Sequence, residues 1–307
     1  MDVVLVTGSS GTIGTRLCET LLKNGNKVIG IDRVPNKWNK EVNKVTIIGD
    51  LLDKKTFETH KAKLKDIKTV IHLAANARVY DLVVDPDKAF ENFQTLFNAL
   101  EFARKNNVSN FVFASSRETY GNTSKEVLHE DEANHKHCES PYTASKLGGE
   151  ALVHAYNKCY NMKTIILRFS NVYGMYDESN RFIPLVYKLA KNHKEIQIFG
   201  KDKVLDFTFI DDTVDGIIKA ITNINQINGE VINIAYGKGI SLLGVAEMMK
   251  TEMNSKSPIV LKDNRTGEVV KYTADISKAK RLLNYEPKTN VEEGIKRSVE
   301  WCKSNLN

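Results

Sequence analysis

Tyr142 and Lys146 stand four positions apart, in a stretch that Pro141 opens and that reads as a helix to Tyr160. Residues four apart share one helix face, so a phenol and an ammonium are held side by side. A phenol is a useful general base only if its pKa of about 10 falls toward neutrality. A lysine ammonium favours the phenolate, and a positive nicotinamide ring would favour it further. Ser116 follows the apolar run Asn110 to Ala114, which reads as a strand. Its hydroxyl can hydrogen-bond the same substrate oxygen. Together the three can take a proton from a sugar or alcohol hydroxyl while hydride leaves for a nicotinamide. Y-x-x-x-K alone is common on helix surfaces; the serine and a cofactor loop upstream give it meaning.

That loop is TGSSGTIG, residues 7–14. It follows an apolar run, Val3 to Val6, that reads as a buried parallel strand. It precedes an amphipathic stretch with Ile13, Leu17, Leu21 and Leu22 on one face. Gly8 permits the tight turn, Gly11 lets the backbone approach a pyrophosphate, and Gly14 lets helix and strand pack closely. Ser10, Thr12 and Ile13 fill the turn, where free N–H groups and positive potential face an anion. The next strand, Lys27 to Ile31, ends in Asp32. A carboxylate there can accept hydrogen bonds from the adenosine ribose and repel a 2′-phosphate, which favours NAD over NADP. Arg33 is the residue able to receive that phosphate. Asp50 and Leu51, after a third strand at Lys44 to Ile48, are candidates for the adenine; a helix N-cap for 53–64 is the rival role for Asp50. Leu73, Ala74 and Ala75, at the end of a fourth strand from Thr69, would let backbone lie against the cofactor.

Strands and helices alternate as far as residue 174, with a long helix over 86–106 that Pro86 starts. The expected fold is α/β, a doubly wound parallel sheet covered by helices on both faces. Past residue 175 the alternation fades, into helical pieces at 182–192, 211–222, 241–253 and 291–303 and short strands at 196–199 and 231–234. Residues 175–307 are expected to form mainly a smaller α/β substrate-binding cap. Elements near 205–236 are expected to return to the main sheet of the 1–174 domain.

With 41% hydrophobic and 27% charged residues, the 307-residue chain has the balance of an ordinary globular protein. No apolar run approaches bilayer length, so no membrane association is expected. The N-terminus is already strand and loop, which leaves no room for a signal peptide and points to the cytoplasm. Cys18, Cys138, Cys159 and Cys302 lack metal-ligand or disulfide spacing. The net charge of +6 comes from dispersed lysines rather than a basic block, so no nucleic-acid partner is expected. His129, His135 and His137 lie in a polar stretch at 121–140 without helical ligand spacing, and no metal is expected. The helices 86–106 and 142–160 carry more apolar residues than one sheet face covers, Phe90, Phe97, Leu152 and Tyr156 among them, which points to a homodimer.

TGSSGTIG, GDLLD, HLAANA, SSRETYG, SPYTASKLGGE, RFSNVYG and FTFIDD occur in that order along essentially the whole chain. The set resembles the extended short-chain dehydrogenase/reductase family, and within it the NAD-dependent nucleotide-sugar epimerases and dehydratases. The resemblance implies a Rossmann fold and bound NAD. It implies Tyr142 as base, Lys146 on the nicotinamide ribose and Ser116 as hydroxyl partner. It implies Asn171 and the cap's Arg265 on the nucleotide-sugar phosphates, and pairing of the two long helices in a dimer. Leu205 stands where many relatives have an arginine, with Lys203 the nearest cation. Related 4,6-dehydratases carry two acids where Arg117 and Glu118 stand. Glu118 could serve as a C5 base, but Arg117 keeps its proton and cannot be the acid. The expected activity is a nucleotide-sugar 4-epimerase, with a UDP-hexose as substrate. The rivals are a 4,6-dehydratase, a UDP-glucuronate 4-epimerase or decarboxylase, and a non-catalytic NAD-binding protein.

Overall fold

The computed structural model describes residues 2–306. Its strands in chain order are β1 (Val3–Thr7), β2 (Lys27–Asp32), β3 (Thr46–Ile48), β4 (Ile67–His72), β5 (Asn110–Ser116), β6 (Lys163–Phe169), β7 (Asn171–Tyr173), β8 (Ile196–Phe199), β9 (Val204–Phe209), β10 (Val231–Ile234), β11 (Gly239–Ser241), β12 (Ile259–Lys262) and β13 (Lys271–Tyr272). Seven of them form one sheet in the order β10-β6-β5-β4-β1-β2-β3. Every pairing in it is parallel. Strands covered on both faces have no solvent side, so β1 and β5 are buried at every residue and do not alternate.

Helices Thr12–Lys23 and Ile210–Thr222 cover one face, packing Leu17, Leu21, Ile217 and Ala220 on Val4, Val6 and Ile165. Asp87–Lys105 and Pro141–Tyr160 cover the other, packing Leu96, Leu100 and Val153 on Leu5, Phe111 and Phe113. Fully burying each such side chain contributes about 1.5–3 kcal/mol. The strand order reverses between β1 and β4, which leaves a crevice at their carboxyl ends. A third core, around Tyr187, Phe207, Phe209, Met249, Tyr272 and Val299, belongs to the smaller layer. There β9 pairs with β7, β11 and β13, and β8 with β12. No helix among the described residues is long and apolar enough to cross a membrane.

Helix Pro141–Tyr160 begins where its sequence says it should. Ser140 caps it by accepting from the Thr143 N–H at 3.2 Å, and Pro141 fills the first turn. A buried network anchors its middle. Glu150 takes two hydrogen bonds from Arg168, at 2.9 and 2.7 Å, and one from Ser115. Arg168 also reaches the Tyr120 hydroxyl at 3.1 Å, and that hydroxyl donates to Asn233 at 2.6 Å. Buried ion pairs add little net stability, but this one fixes the helix against β5, β6 and β10.

Several boundaries differ from the sequence reading. Lys44 and Val45 end a short helix, Lys40–Val45, instead of opening β3. Asn39 caps that helix by accepting from the Glu41 and Val42 N–H groups, and this local bond outweighs strand propensity. The helix expected at 53–64 shrinks to Lys55–Thr59. Tyr156 is buried and donates to Glu101 at 2.7 Å, and Leu152 packs on the core, so neither is spare apolar surface. Phe90 and Val84 are the most exposed large hydrophobics there, at 69% and 68%, with Tyr160 at 50%.

Candidate active site

The glycine loop is bound to its surroundings by backbone. Gly8 adopts φ +74°, and its N–H donates to Ile31 O at 2.8 Å. A Cβ on Gly14 would lie 2.0 Å from Gly8 O, so the helix start sits directly on the turn. Gly11 caps that helix without a side chain, and no acid occupies its first turn. The N–H groups there are left to a ligand. Asp32 holds the loop by accepting from the Ser10 N–H at 2.9 Å and the Val34 N–H at 3.1 Å. Each carboxylate oxygen has a second lone pair to spare. The Ser10 hydroxyl donates to Val34 O. Thr12 donates to Tyr176 O and accepts from Arg181, which ties the loop to the chain beyond residue 175. Ile13 packs partly into the core.

A cleft runs from this loop along the crevice. It is lined by Gly8, Gly11, Asp32, Arg33, Asp50 and Leu51, and on its far wall by Leu73, Ala74 and Ala75. Arg33 reaches Asn76 at 3.4 Å on the exposed rim. Asp50 accepts from the Leu52 N–H at 2.9 Å and so shapes the turn as well as the wall. Asn76, Asn92 and Thr95 also line the cleft and were not singled out from the sequence. Asn92 fastens the loop after β4, accepting from the Asn76 N–H at 2.6 Å and donating to Asn76 O at 3.0 Å. Its signal was an amide on the same buried helix stripe as Ala89, Leu96 and Ala99. Glycine cradle, uncapped helix start and strand-end carboxylate fit a pyrophosphate-linked dinucleotide such as NAD.

At the inner end of β5, Ser116, Tyr142 and Lys146 are all buried. Ser116 is the last residue of its strand rather than a loop residue. Its hydroxyl accepts from the Glu118 N–H at 3.2 Å. Lys146 donates to Ala114 O at 2.8 Å, and its ammonium lies 5.7 Å from the Tyr142 ring centre. Burial pushes the Lys146 pKa down to about 8, with Glu150 opposing. The Tyr142 phenol is not lowered in the protein alone. Burial pushes it up to about 12; Ser116 opposes that, Glu118 adds to it, and Arg117 and Arg181 oppose it. The ammonium by itself therefore does not make the phenolate, and the nicotinamide charge invoked beside it from the sequence is needed as well. A further positive charge must arrive with the ligand.

Beyond Ser116, Arg117 and Glu118 form a buried ion pair at 2.7 Å. Arg117 also donates to Asn171 Oδ1 at 3.2 Å, and Asn171 donates to Asp206 O at 3.0 Å. Asn171 thus bridges the turn after β5 and β9, and keeps one amide hydrogen for a ligand. Lys203 is not a free phosphate contact: it is buried and paired with Glu268 at 2.6 Å. Asp206 accepts from the Tyr236 and Gly237 N–H groups and is a structural clasp. Arg265 is held between aromatic rings, its guanidinium 3.8 Å from the Phe199 ring centre and 5.1 Å from that of Tyr80. These aromatic walls orient it, and among the described residues no acid pairs with its planar N–H fork. His129, His135 and His137 form no metal-binding cluster among the described residues.

Residues 4–235 match the model of the NAD dependent epimerase/dehydratase family. The UDP-glucuronate 4-epimerase of Thermodesulfobacterium geofontis is 32% identical, over 100% of this chain and 98% of that protein. Among solved structures, the UDP-glucose 4-epimerase of Thermotoga maritima with UDP-glucose superimposes with a TM-score of 0.89 at 29% identity. It covers 99% of this chain and 100% of its own. The UDP-glucuronic acid 4-epimerase of Bacillus cereus, in complex with UDP-glucuronic acid and NAD, gives a TM-score of 0.88 at 30% identity. It covers 98% of this chain and 99% of its own.

Proposed function

The chain belongs to the NAD dependent epimerase/dehydratase family, and on that premise we propose that it is a nucleotide-sugar 4-epimerase acting on a UDP-linked hexose. The observation that carries the reading is the buried trio Ser116, Tyr142 and Lys146, in a chain whose glycine loop, Asp32 and Asp50 line a cleft that fits NAD. Tyr142 Oη takes the proton of the sugar's 4-hydroxyl and returns it at the end of the cycle. Ser116 hydrogen-bonds the same oxygen and holds it in line. Lys146 grips the nicotinamide ribose and adds charge that favours the phenolate. Asp32 receives the adenosine ribose hydroxyls and disfavours a 2′-phosphate. Asn171 and Arg265 hold the diphosphate, the latter through its fork of donors. NAD, when bound, supplies the hydride acceptor at C4 and the donor on the return. Turning the 4-keto sugar about its phosphate link between the two transfers inverts C4.

UDP-linked substrates named for two of the relatives support the nucleotide. A 4,6-dehydratase shares the first oxidation, and Glu118 could act as its C5 base, but Arg117 occupies the place of the leaving-group acid. Incubating the protein with UDP-, dTDP- and GDP-sugars in heavy water, with products read by NMR, separates the readings. The expected product is the C4 epimer with no solvent deuterium at C5 and no carbon dioxide released. Deuterium at C5, or loss of the C6 carbon, overturns the assignment.

A homodimer through the paired helices Asp87–Lys105 and Pro141–Tyr160 is also proposed, supported now by exposed Phe90 rather than by Tyr156. Sedimentation is expected to give twice the chain mass at micromolar concentration, and a monomer there rules the dimer out. Exposed Cys138 and Cys159, both free thiols, suit a reducing cytoplasm, which cell fractionation checks.

A further inference from the structure

The chain has two tryptophans, and they touch. Trp38 lies in the loop after β2, and Trp301 on the C-terminal helix Val291–Asn305. Their rings meet edge to face, with centres 5.1 Å apart. Tyr176, from the turn after β7, meets Trp301 in the same way at 5.6 Å. The Lys37 ammonium lies 4.5 Å from the Trp38 ring centre and pairs with Glu178, two residues past Tyr176. All three rings are half-buried, and Trp301 backs onto the core of the smaller layer.

The segments that meet here share one other neighbour, the glycine loop. The loop after β2 holds it from one side. Val34 O accepts from the Ser10 hydroxyl at 2.8 Å, and buried Asn36 donates to Ser9 O at 3.2 Å and to the Thr15 hydroxyl at 2.8 Å. The turn after β7 holds it from the other. Thr12 donates to Tyr176 O at 3.1 Å and accepts from Arg181 at 3.1 Å. Tyr176 adopts φ +64°, a costly backbone shape for so large a side chain. In that shape its carbonyl meets Thr12 while its hydroxyl donates to Glu19 at 3.1 Å, further along the same helix. The three rings therefore close a ring of chain around the turn that faces the pyrophosphate.

We propose that Trp38, Tyr176 and Trp301 are positioning residues for NAD, a clasp that holds the phosphate loop in its binding shape and so sets how slowly the cofactor is released. None of the three lines the cleft itself. They act through Ser9, Ser10 and Thr12. A loop already fixed in its bound shape loses less entropy when the ligand arrives, and the gain is read in the rate of dissociation more than in that of association. Linkage makes the effect reciprocal, so bound NAD steadies the clasp as the clasp steadies NAD. The proposal depends on NAD binding alone and not on which sugar is turned over, so failure of the 4-epimerase reading leaves it standing.

Exchange of bound NAD for labelled NAD, followed on the holoenzyme, tests it. Trp38→Ala is expected to speed release roughly 3- to 10-fold, the worth of one aromatic pair, and Trp301→Ala, which breaks two, about tenfold or more. Both break the same contact, so the double variant is expected to release NAD no faster than Trp301→Ala alone. Trp301→Phe keeps an aromatic edge and is expected to restore release close to the wild-type rate. Thermal melts of the same proteins stripped of NAD separate lost positioning from lost folding. Should Trp301→Ala not fold, Trp38→Ala decides, since that ring lies on a loop outside the core of the smaller layer. With no other tryptophan in the chain, its emission reports the clasp alone, and acrylamide quenching is expected to fall when NAD binds. An unchanged exchange rate in a folded Trp38→Ala overturns the proposal. Rates that multiply in the double variant, or quenching that NAD leaves as it was, overturn it as well.

Discussion

Replacing Tyr142 with Phe is expected to lower kcat by roughly 10²- to 10⁴-fold, the span over which a positioned acid–base group acts. The ring is buried against the helix Val79–Val84 and Ala89, so Phe fills the same space and loses only the oxygen. Affinity for NAD should stay within about twofold, because the proposed cofactor contacts lie on Lys146 and the glycine loop. The remaining rate should also lose its dependence on a single basic group. In the protein alone that group sits at about 12, held there mainly by burial. Charge brought by the cofactor must pull it down, so the pH at which wild-type turnover rises should lie well below the free-protein value. NMR-monitored turnover of a UDP-hexose from pH 6 to 10 reads both effects. A Tyr142→Phe variant working at the wild-type rate would remove the phenol from the mechanism.

Those residues were legible in the sequence because their geometry is local. Y-x-x-x-K needs only a helix, and Ser140 with Pro141 announces one. The glycine loop needs only a strand before it and a helix after it. What stayed hidden depends on residues far apart along the chain. Lys203 reads as a free cation until β9 sets it against Glu268. Arg265 reads only as a cap arginine on the phosphates; that Phe199 and Tyr80 lie against its guanidinium is invisible in the sequence. The Arg117–Glu118 pair was visible as two neighbours, but not its burial, which is set by what surrounds it. The environment of the Tyr142 phenol is hidden for a related reason. Spacing shows the ammonium nearby, but not the depth of burial that outweighs it. Phe90 and Tyr156 look alike on a helical stripe; only the packing of Asp87–Lys105 against Pro141–Tyr160 covers one and leaves the other.

The glycine loop gives the second large effect. Gly14→Ala places a Cβ 2.0 Å from Gly8 O, 2.8 Å from Gly8 C and 2.9 Å from Ser9 Cα. All three are backbone atoms, so no side chain can swing aside. Gly8 cannot yield either. Its φ of +74° is glycine territory, its N–H is tied to Ile31 O, and Ala74 N would lie 2.9 Å from a Cβ on it. The helix start must therefore move off the turn, and the N–H groups that face the pyrophosphate move with it. Loss of two or three such charge-assisted bonds, at about 1.5–3 kcal/mol each, predicts a fall in NAD affinity of at least about 10²-fold. Gly148→Ala is the contrasting case on the helix that carries Tyr142. Its Cβ would meet only the Phe93 ring, at 3.5 Å, an ordinary contact. It should keep NAD affinity and leave the melting temperature level or raised, since Ala outdoes Gly inside a helix by about 1 kcal/mol. Calorimetry with NAD, alongside thermal melts, separates lost binding from lost folding. In the same titrations NADP is expected to bind the wild-type protein more weakly than NAD, because Asp32 opposes the extra phosphate. Wild-type NAD affinity in a folded Gly14→Ala would mean that the cofactor does not lie on this turn. Tighter NADP would transfer the ribose contact from Asp32 to Arg33.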